Sequence, residues 1–343
     1  MAPMQIKLRN AIGALKDQTS ISLAKVSSTG IPDLDVAILK ATSHEEVPME
    51  EKYVQEVLHL TSYSRSHVIA CVAGIGRRLS KTRTWIVAIK SLMLAHRLLR
   101  DGDPSFEAEL RLSARSRGMR ILNVSDFRDE SESNGWDYSA FIQAYGRYLD
   151  ERLDSCSMGG LLAATKPKPN QHRSSNNNYS ASSKHYEYSD SSYYNDGYLS
   201  RDPEEEQKKK EPKVKAVKDM RADELMENFV IFQHLLERVL ACRPSGIAKV
   251  NRLVNIALYP VVRESFLLYM DIRDGLAILH DAFFDMEPRE CSRAFDIYTR
   301  AAKQIDELIA FYSFCKALGV CRTTEYPVVE KISAETLEVM DDF

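Results

Sequence analysis

Apolar residues recur at helical spacing along most of this chain. Met4, Leu8, Ala11, Ile12 and Leu15 fall at i, i+4, i+7, i+8 and i+11, with Lys7, Arg9 and Lys16 beside or opposite them, which is one apolar stripe on a helix. Ser27, Ser28, Gly30 and Pro32 separate it from the next helical run. That run, Val36, Ala37, Ile38 and Leu39, is interrupted at Pro48, which lacks an N–H and cannot continue a helix. A new helix is predicted from Met49 or Glu50. Val54, Val57, Leu58 and Leu60 mark one helix, and Val68, Ile69, Val72, Ile75 and Leu79 the next. Residues 85–99 are apolar almost all round and therefore predicted buried, and Asp101, Gly102, Asp103 and Pro104 stop that helix. Further helices are expected over 106–114, 138–153, 222–240, 248–286 with a kink at Pro260, 288–318 and 332–340. No run alternates strictly enough for a sheet, so the class is all-α. The long late helices predict an antiparallel stack, a solenoid in which each hairpin buries its stripe on the next.

One segment departs from this pattern. Residues 165–218 are dense in Ser, Asn, Tyr, Lys and Pro, and their only Leu, Ile or Val residues are Leu199, Val214 and Val217. Such a tract cannot bury enough surface to offset its ordering entropy, so it is expected to be a disordered insert. Its serines and tyrosines permit phosphorylation, as in any exposed polar tract. The chain therefore divides into a mobile amphipathic segment over 1–30, a helical part over 31–164, the insert over 165–218, and a second helical part over 219–343.

The 343 residues, 44% hydrophobic, suffice for one large core or two moderate ones. The net charge of −3 hides an asymmetry. Between Arg65 and Val124 twelve Lys or Arg face four acids, whereas from Arg201 onward 21 basic residues face 26 acidic ones. An anionic partner would meet the early part. Cys71, Cys156, Cys242, Cys291, Cys315 and Cys321 show no paired spacing and read as small buried hydrophobes in a reducing compartment. The sequence carries no early signal-like run and no stretch of about 20 consecutive apolar residues, so a cytosolic protein with at most peripheral membrane contact is expected.

Catalytic chemistry finds little support. Gly74 and Gly76 lie inside a helical pattern without the third glycine or the preceding strand of a nucleotide site. His44 and His96 have no Ser, Cys or second His at a useful spacing. The reading is therefore not an enzyme, with no cofactor and no metal site, which leaves binding.

Residues 40–53, KATSHEEVPMEEKY, carry the candidate site. Lys40 at the end of one helix and Lys52 with Tyr53 in the first turn of the next can converge at a helix–loop–helix corner. There they would offer two ammonium groups and a hydroxyl to an anion. The plainer alternative is that Lys40 complements the negative end of its helix dipole and that Lys52 is solvated. The stretch resembles the lipid-headgroup motif of the ANTH domain, the amino-terminal domain of the clathrin assembly proteins. AIGALKDQTSISLAKV, TWIVAIKSLMLAHRLLRDGD, LNVSDFRDE, WDYSAFIQAYGRYLDERL, ALYPVVRESF and AAKQIDELIAFYSFCK are similar to the plant form of that family. The resemblance covers nearly the whole chain. One departure stands out: where the family places a lysine just after the proline, this chain has Met49, Glu50 and Glu51.

The resemblance implies an ANTH-type superhelix acting as a phosphoinositide-binding adaptor of clathrin-mediated endocytosis. Lys40, Lys52 and Tyr53 would hold the headgroup of phosphatidylinositol bisphosphate. It further implies clathrin and vesicle SNARE helices as partners, and a cytoplasmic protein peripheral at coated pits and vesicles of the plasma membrane and the Golgi. The sequence holds no Asn-Pro-Phe or Asp-Pro-Phe tripeptide and ends where its helical pattern does, so direct clathrin binding is not expected of the motifs present. Two readings of the first stripe remain open: a surface helix packed on the domain, or an interfacial helix that inserts Leu8, Ile12 and Leu15 into a membrane. A protein-only helical scaffold is the alternative function. Nucleic-acid binding by the basic stretch from Arg77 to Arg100 is the weakest, because Arg97 and Arg100 share a helix with core residues and no reading motif is present.

Overall fold

Pro32 opens α2 (Pro32–Ala41), where its missing N–H is no loss, and Asp33 and Asp35 sit in the first turn against the positive end of the dipole. Before it runs α1 (Ala2–Val26) and after it α3 (Glu51–Thr61), begun by Glu50 two residues past Pro48. The structure, a computed structural model, describes residues 2–26, 30–118, 120–129, 135–157 and 215–343. The expected insert therefore lies outside the described residues except for its last four positions.

Local chemistry sets the other termini. Ser64 caps α4 (Arg65–Lys81), and Asp103 followed by Pro104 starts α6 (Pro104–Arg117). Gly118 ends α6 with φ 61°, a left-handed conformation that a Cβ would strain. Between them α5 (Trp85–Asp101) is buried on nearly every side, as its unbroken apolar pattern predicts. After α7 (Gly135–Ser157) the described chain resumes at Lys215 and enters α8 (Ala222–Ala241). Asn251 accepts from the Leu253 and Val254 N–H groups to open α9 (Arg252–Phe283). A reciprocal Glu287–Glu290 capping box opens α10 (Pro288–Ala317), and Ser333 opens α11 (Ala334–Asp342). Among the described residues no strand occurs. The all-α expectation holds.

Packing joins the two helical parts into one unit with a continuous core. α5 touches α4, α7 and α9, while α8 is packed against α7, α9 and α10, and one cluster of buried apolar side chains runs from Leu34 to Met340. Cys71, Cys242, Cys315 and Cys321 lie in that core, in keeping with their apolar neighbours. α9 is long and apolar enough to cross a membrane by composition, but 61% of its most apolar window is buried inside the fold. One detail differs from expectation. Val217 is buried, so the helical part begins before the insert's expected end at 218. A single valine among lysines gives no periodicity to reveal this. Pro260 lies inside a helix that continues past it to Phe283.

A buried polar junction fastens the parts together. Glu264 of α9 accepts from Arg152 of α7 at 2.9 and 3.1 Å and from the Tyr148 hydroxyl. The Nε2 of His96, on α5, lies 3.2 Å from the same carboxylate, and its Nδ1 lies 2.9 Å from the Tyr145 hydroxyl. Burial pushes the Glu264 carboxyl up, but Arg152 and His96 outweigh it and hold the group below the ordinary carboxylate range.

Candidate functional site at the α2–α3 corner

The corner brings Lys40, Lys52 and Tyr53 together. Lys40 stands in the last turn of α2 and Lys52 and Tyr53 in the first turn of α3, so the loop 42–50 folds the two helix ends side by side. Tyr53 is half-buried against the core, and its ring forms a shelf under both ammonium groups. Lys40 Nζ is 5.0 Å and Lys52 Nζ 4.6 Å from the ring centroid, within the range of cation–π attraction. Two cations held over one ring at an exposed corner repel each other, and an anion between them relieves that repulsion.

The acids that replace the expected lysine have separate fates. Glu50 lies 2.6 Å from Lys52, and this bond, with Tyr53 nearby, raises the Lys52 ammonium above its ordinary value. Glu51 is turned away, pairing with Arg97 of α5 at 2.9 Å. Only Glu50 therefore acts on the corner directly.

The loop beneath the corner is held from inside by residues the sequence did not single out. Arg78 of α4 donates through Nε to Thr42 Oγ1 at 2.9 Å and through Nη2 to the Thr42 carbonyl. Lys90 of α5, only 1% exposed, donates to Ser43 Oγ at 3.2 Å and to the Glu45 carbonyl at 2.7 Å. Burial pushes the Lys90 ammonium down to about 8. Asp17 of α1 accepts from the backbone N–H of His44 at 2.7 Å, and its other oxygen lies 2.7 Å from His44 Nδ1. Asn251, the cap of α9, donates to Glu46 at 2.8 Å. A clue existed for Lys90, the one charge in the apolar run TWIVAIKSLML. A buried ammonium requires fixed acceptors.

The ANTH domain profile matches residues 33–343. The chain belongs to the ANTH domain family. A protein named probable clathrin assembly protein, from Arabidopsis thaliana, is 47% identical to this ANTH domain over 353 residues, covering 99% of this chain and 55% of the relative. The clathrin coat assembly protein AP180 of Arabidopsis thaliana is 47% identical over 346 residues, covering 99% of this chain and 50% of its own length. The ANTH chain thus spans about half the length of these curated relatives. Among solved structures, the ENTH domain from epsin-2 in complex with phosphatidylinositol 4,5-bisphosphate is 18% identical, covers 87% of this chain and 96% of its own, and has a TM-score of 0.44.

Two other regions bear on function. On α1, Leu8, Ile12 and Leu15 are 63%, 46% and 68% exposed, whereas Gly13 and Asp17 face the domain. The stripe proposed for membrane insertion is thus turned to solvent. A cavity of about 520 Å³ lies between α4, α6 and residues 120–127, lined among others by Val72, Gly76, Arg83, Glu109, Ile121 and Phe127. Lys40, Lys52 and Tyr53 do not line it. No group of His, Cys, Asp or Glu among the described residues could hold a metal ion.

Proposed function

We propose that this ANTH domain is the membrane-reading part of a clathrin adaptor, and that Lys40, Lys52 and Tyr53 bind the phosphates of a phosphoinositide headgroup. The observation that carries the reading is the convergence of two ammonium groups over one tyrosine ring at a solvent-facing corner. Point-like cations on flexible stems suit a phosphate cluster, and each contributes roughly 1 kcal/mol near an anionic surface. The exposed Leu8, Ile12 and Leu15 on α1 supply a hydrophobic anchor beside the charges. Membership of the family supports a place in clathrin coat assembly. On this reading the protein acts in endocytosis and sits peripherally on the cytoplasmic face of coated pits and vesicles.

Sedimentation with vesicles containing phosphatidylinositol bisphosphate tests it. Lys40→Glu and Lys52→Glu should each abolish sedimentation while leaving the fold intact by circular dichroism. Binding by both variants at the wild-type level would return the corner to a solvated surface and favour a protein-only scaffold.

A finer element of the same proposal is a vesicle SNARE helix as cargo. The late helices leave apolar side chains such as Val230, Leu267 and Met270 partly exposed, the kind of surface on which an amphipathic helix completes its packing. Titration of the whole chain with vesicle SNARE peptides should saturate; absence of saturation for every peptide removes this partner and leaves the lipid site.

A further inference from the structure

The buried stripe of α6 carries two polar side chains where a helix ordinarily places apolar ones. Phe106, Glu109, Leu110 and Ser113 fall at i, i+3, i+4 and i+7 and are all buried, Glu109 at 6% exposure and Ser113 at 3%. Glu109 and Ser113 both line the cavity of about 520 Å³ between α4, α6 and residues 120–127. The Ser113 carbonyl accepts from the Gly118 N–H at the helix end. Among the described residues, however, neither the Glu109 carboxylate nor the Ser113 hydroxyl has a hydrogen-bond or ion-pair partner. Glu107 of the same helix differs, being paired with Arg111 one turn on. An unpartnered buried carboxylate is costly to keep. The Glu109 oxygens are not sealed in the core but open on the cavity.

The rest of the cavity tells what would satisfy them. Val72 of α4 with Ile121, Val124 and Phe127 of the facing segment make apolar walls. The charges of the lining and their partners sum to a negative value. Arg77 is held by Asp35 at 2.9 Å, and Arg120 by Asp150 and Asp154 at 2.7 and 3.1 Å. Arg83 and Asp126, both exposed, are opposite in sign. With Glu109 included, the three arginines face five carboxylates. Glu109 would repel a bound anion and hold a cation. To suit the walls, that cation must ride on an apolar stem, as it does in the long basic side chains. A guanidinium also matches a carboxylate in its planar fork and stacks on aromatic faces such as that of Phe127.

We propose that this cavity is a recognition pocket for an arginine side chain of a partner polypeptide, its guanidinium held by the Glu109 carboxylate and Ser113 Oγ and its stem by Val72, Ile121 and Phe127. The volume falls within the range of ligand sites and leaves room for more than the anchoring side chain. The pocket shares no residue with the lysine corner, so it stands or falls independently of the membrane reading.

Isoleucine-methyl NMR of the whole chain tests it, because Ile69 and Ile121 both line the cavity. N-acetyl-arginine methylamide is the probe. Its citrulline analogue, which keeps the shape and loses the charge, and inorganic phosphate are the comparisons. The arginine probe should shift both methyl signals saturably in wild type, and bind Glu109→Gln roughly tenfold or more weakly, the loss expected for a charged hydrogen bond. The citrulline probe should bind wild type no better than the arginine probe binds Glu109→Gln. Gly76→Leu, which extends a side chain toward Ile121, should block the arginine probe. Glu109→Gln should also melt at or above the wild-type temperature, since it removes an unpartnered buried charge. A lower melting temperature would show that the carboxylate serves the fold rather than a ligand, and overturns the proposal. So does any one of four binding results: no saturable shift, equal affinity of wild type and Glu109→Gln, citrulline binding as well as arginine, or saturable binding of phosphate in the cavity.

Discussion

Replacing Glu264 by glutamine keeps the shape of the side chain and removes the charge that α5, α7 and α9 share. In the wild type its carboxylate accepts two bonds from Arg152 and one from Tyr148, with His96 at 3.2 Å and Arg100 at 4.0 Å. Glutamine can accept only on one oxygen and turns an NH₂ group toward a guanidinium that is itself buried. The buried Arg152 cation then loses the charge that faces it across the junction, a defect of about 3–5 kcal/mol. Large domains lose about 2–3 °C of melting temperature per kcal/mol, so Glu264→Gln should melt about 6–15 °C below wild type. Thermal unfolding followed by circular dichroism at pH 7 measures this. A double variant, Glu264→Met with Arg152→Met, removes both charges and should recover at least half of the loss, because apolar replacements of buried pairs are often neutral. A shift below about 2 °C for the single variant, or a double variant less stable than it, refutes the view that this pair carries the junction.

Further expectations concern the corner, α1 and pH. Glu50→Lys removes the 2.6 Å partner of Lys52 and adds a cation; vesicle binding should tighten roughly tenfold at low salt and the gain should shrink as salt is raised. Leu8→Glu alters a side chain that is 63% exposed, so the melting temperature should hold to within about 0.5 kcal/mol of stability while vesicle binding weakens; a lower melting temperature would place the stripe in the core instead. Burial, opposed by Glu264, holds the His96 imidazole below its ordinary value, so the stability tied to neutral His96 is complete above about pH 6.5 and lost as pH falls, the unfolded chain taking up the proton first. His96→Gln should therefore flatten the fall in melting temperature between pH 7 and 5. Asp271, pushed up to about 6 by burial and by Asp274, acts in the opposite sense in both proteins. An equal or steeper fall in the variant contradicts the reading.

Much of this architecture was legible because helices write their burial as a period. The run that became α5 could be read as buried from composition alone, and α2 and α3 were separated correctly by one proline. The corner lysines were legible for another reason. Lys40, Lys52 and Tyr53 lie within one short stretch, and their resemblance to a family motif singles them out. Asp17, Arg78 and Lys90 escaped notice because each meets the loop across 27 to 47 positions of sequence. Periodicity reports which face of a helix is apolar, but not which distant loop a buried charge will hold. Val217 was missed because one apolar residue among charges has no pattern to join. The turn of the α1 stripe toward solvent was equally hidden, since the same spacing serves a core face and an exposed one.

Because α7 packs directly on α8, the two helical parts are held to each other by their own side chains. Residues that come one after another in the chain need a linker to find each other, but α7 and α8 meet through their own side chains, and Arg152 and Glu264 bind across the same divide. The covalent connection between them is then redundant for holding the folded unit together. A chain cut there would remain a single particle, with its two pieces associated as subunits are. The lysine corner, set by the ends of α2 and α3, is expected to be undisturbed by such a cut.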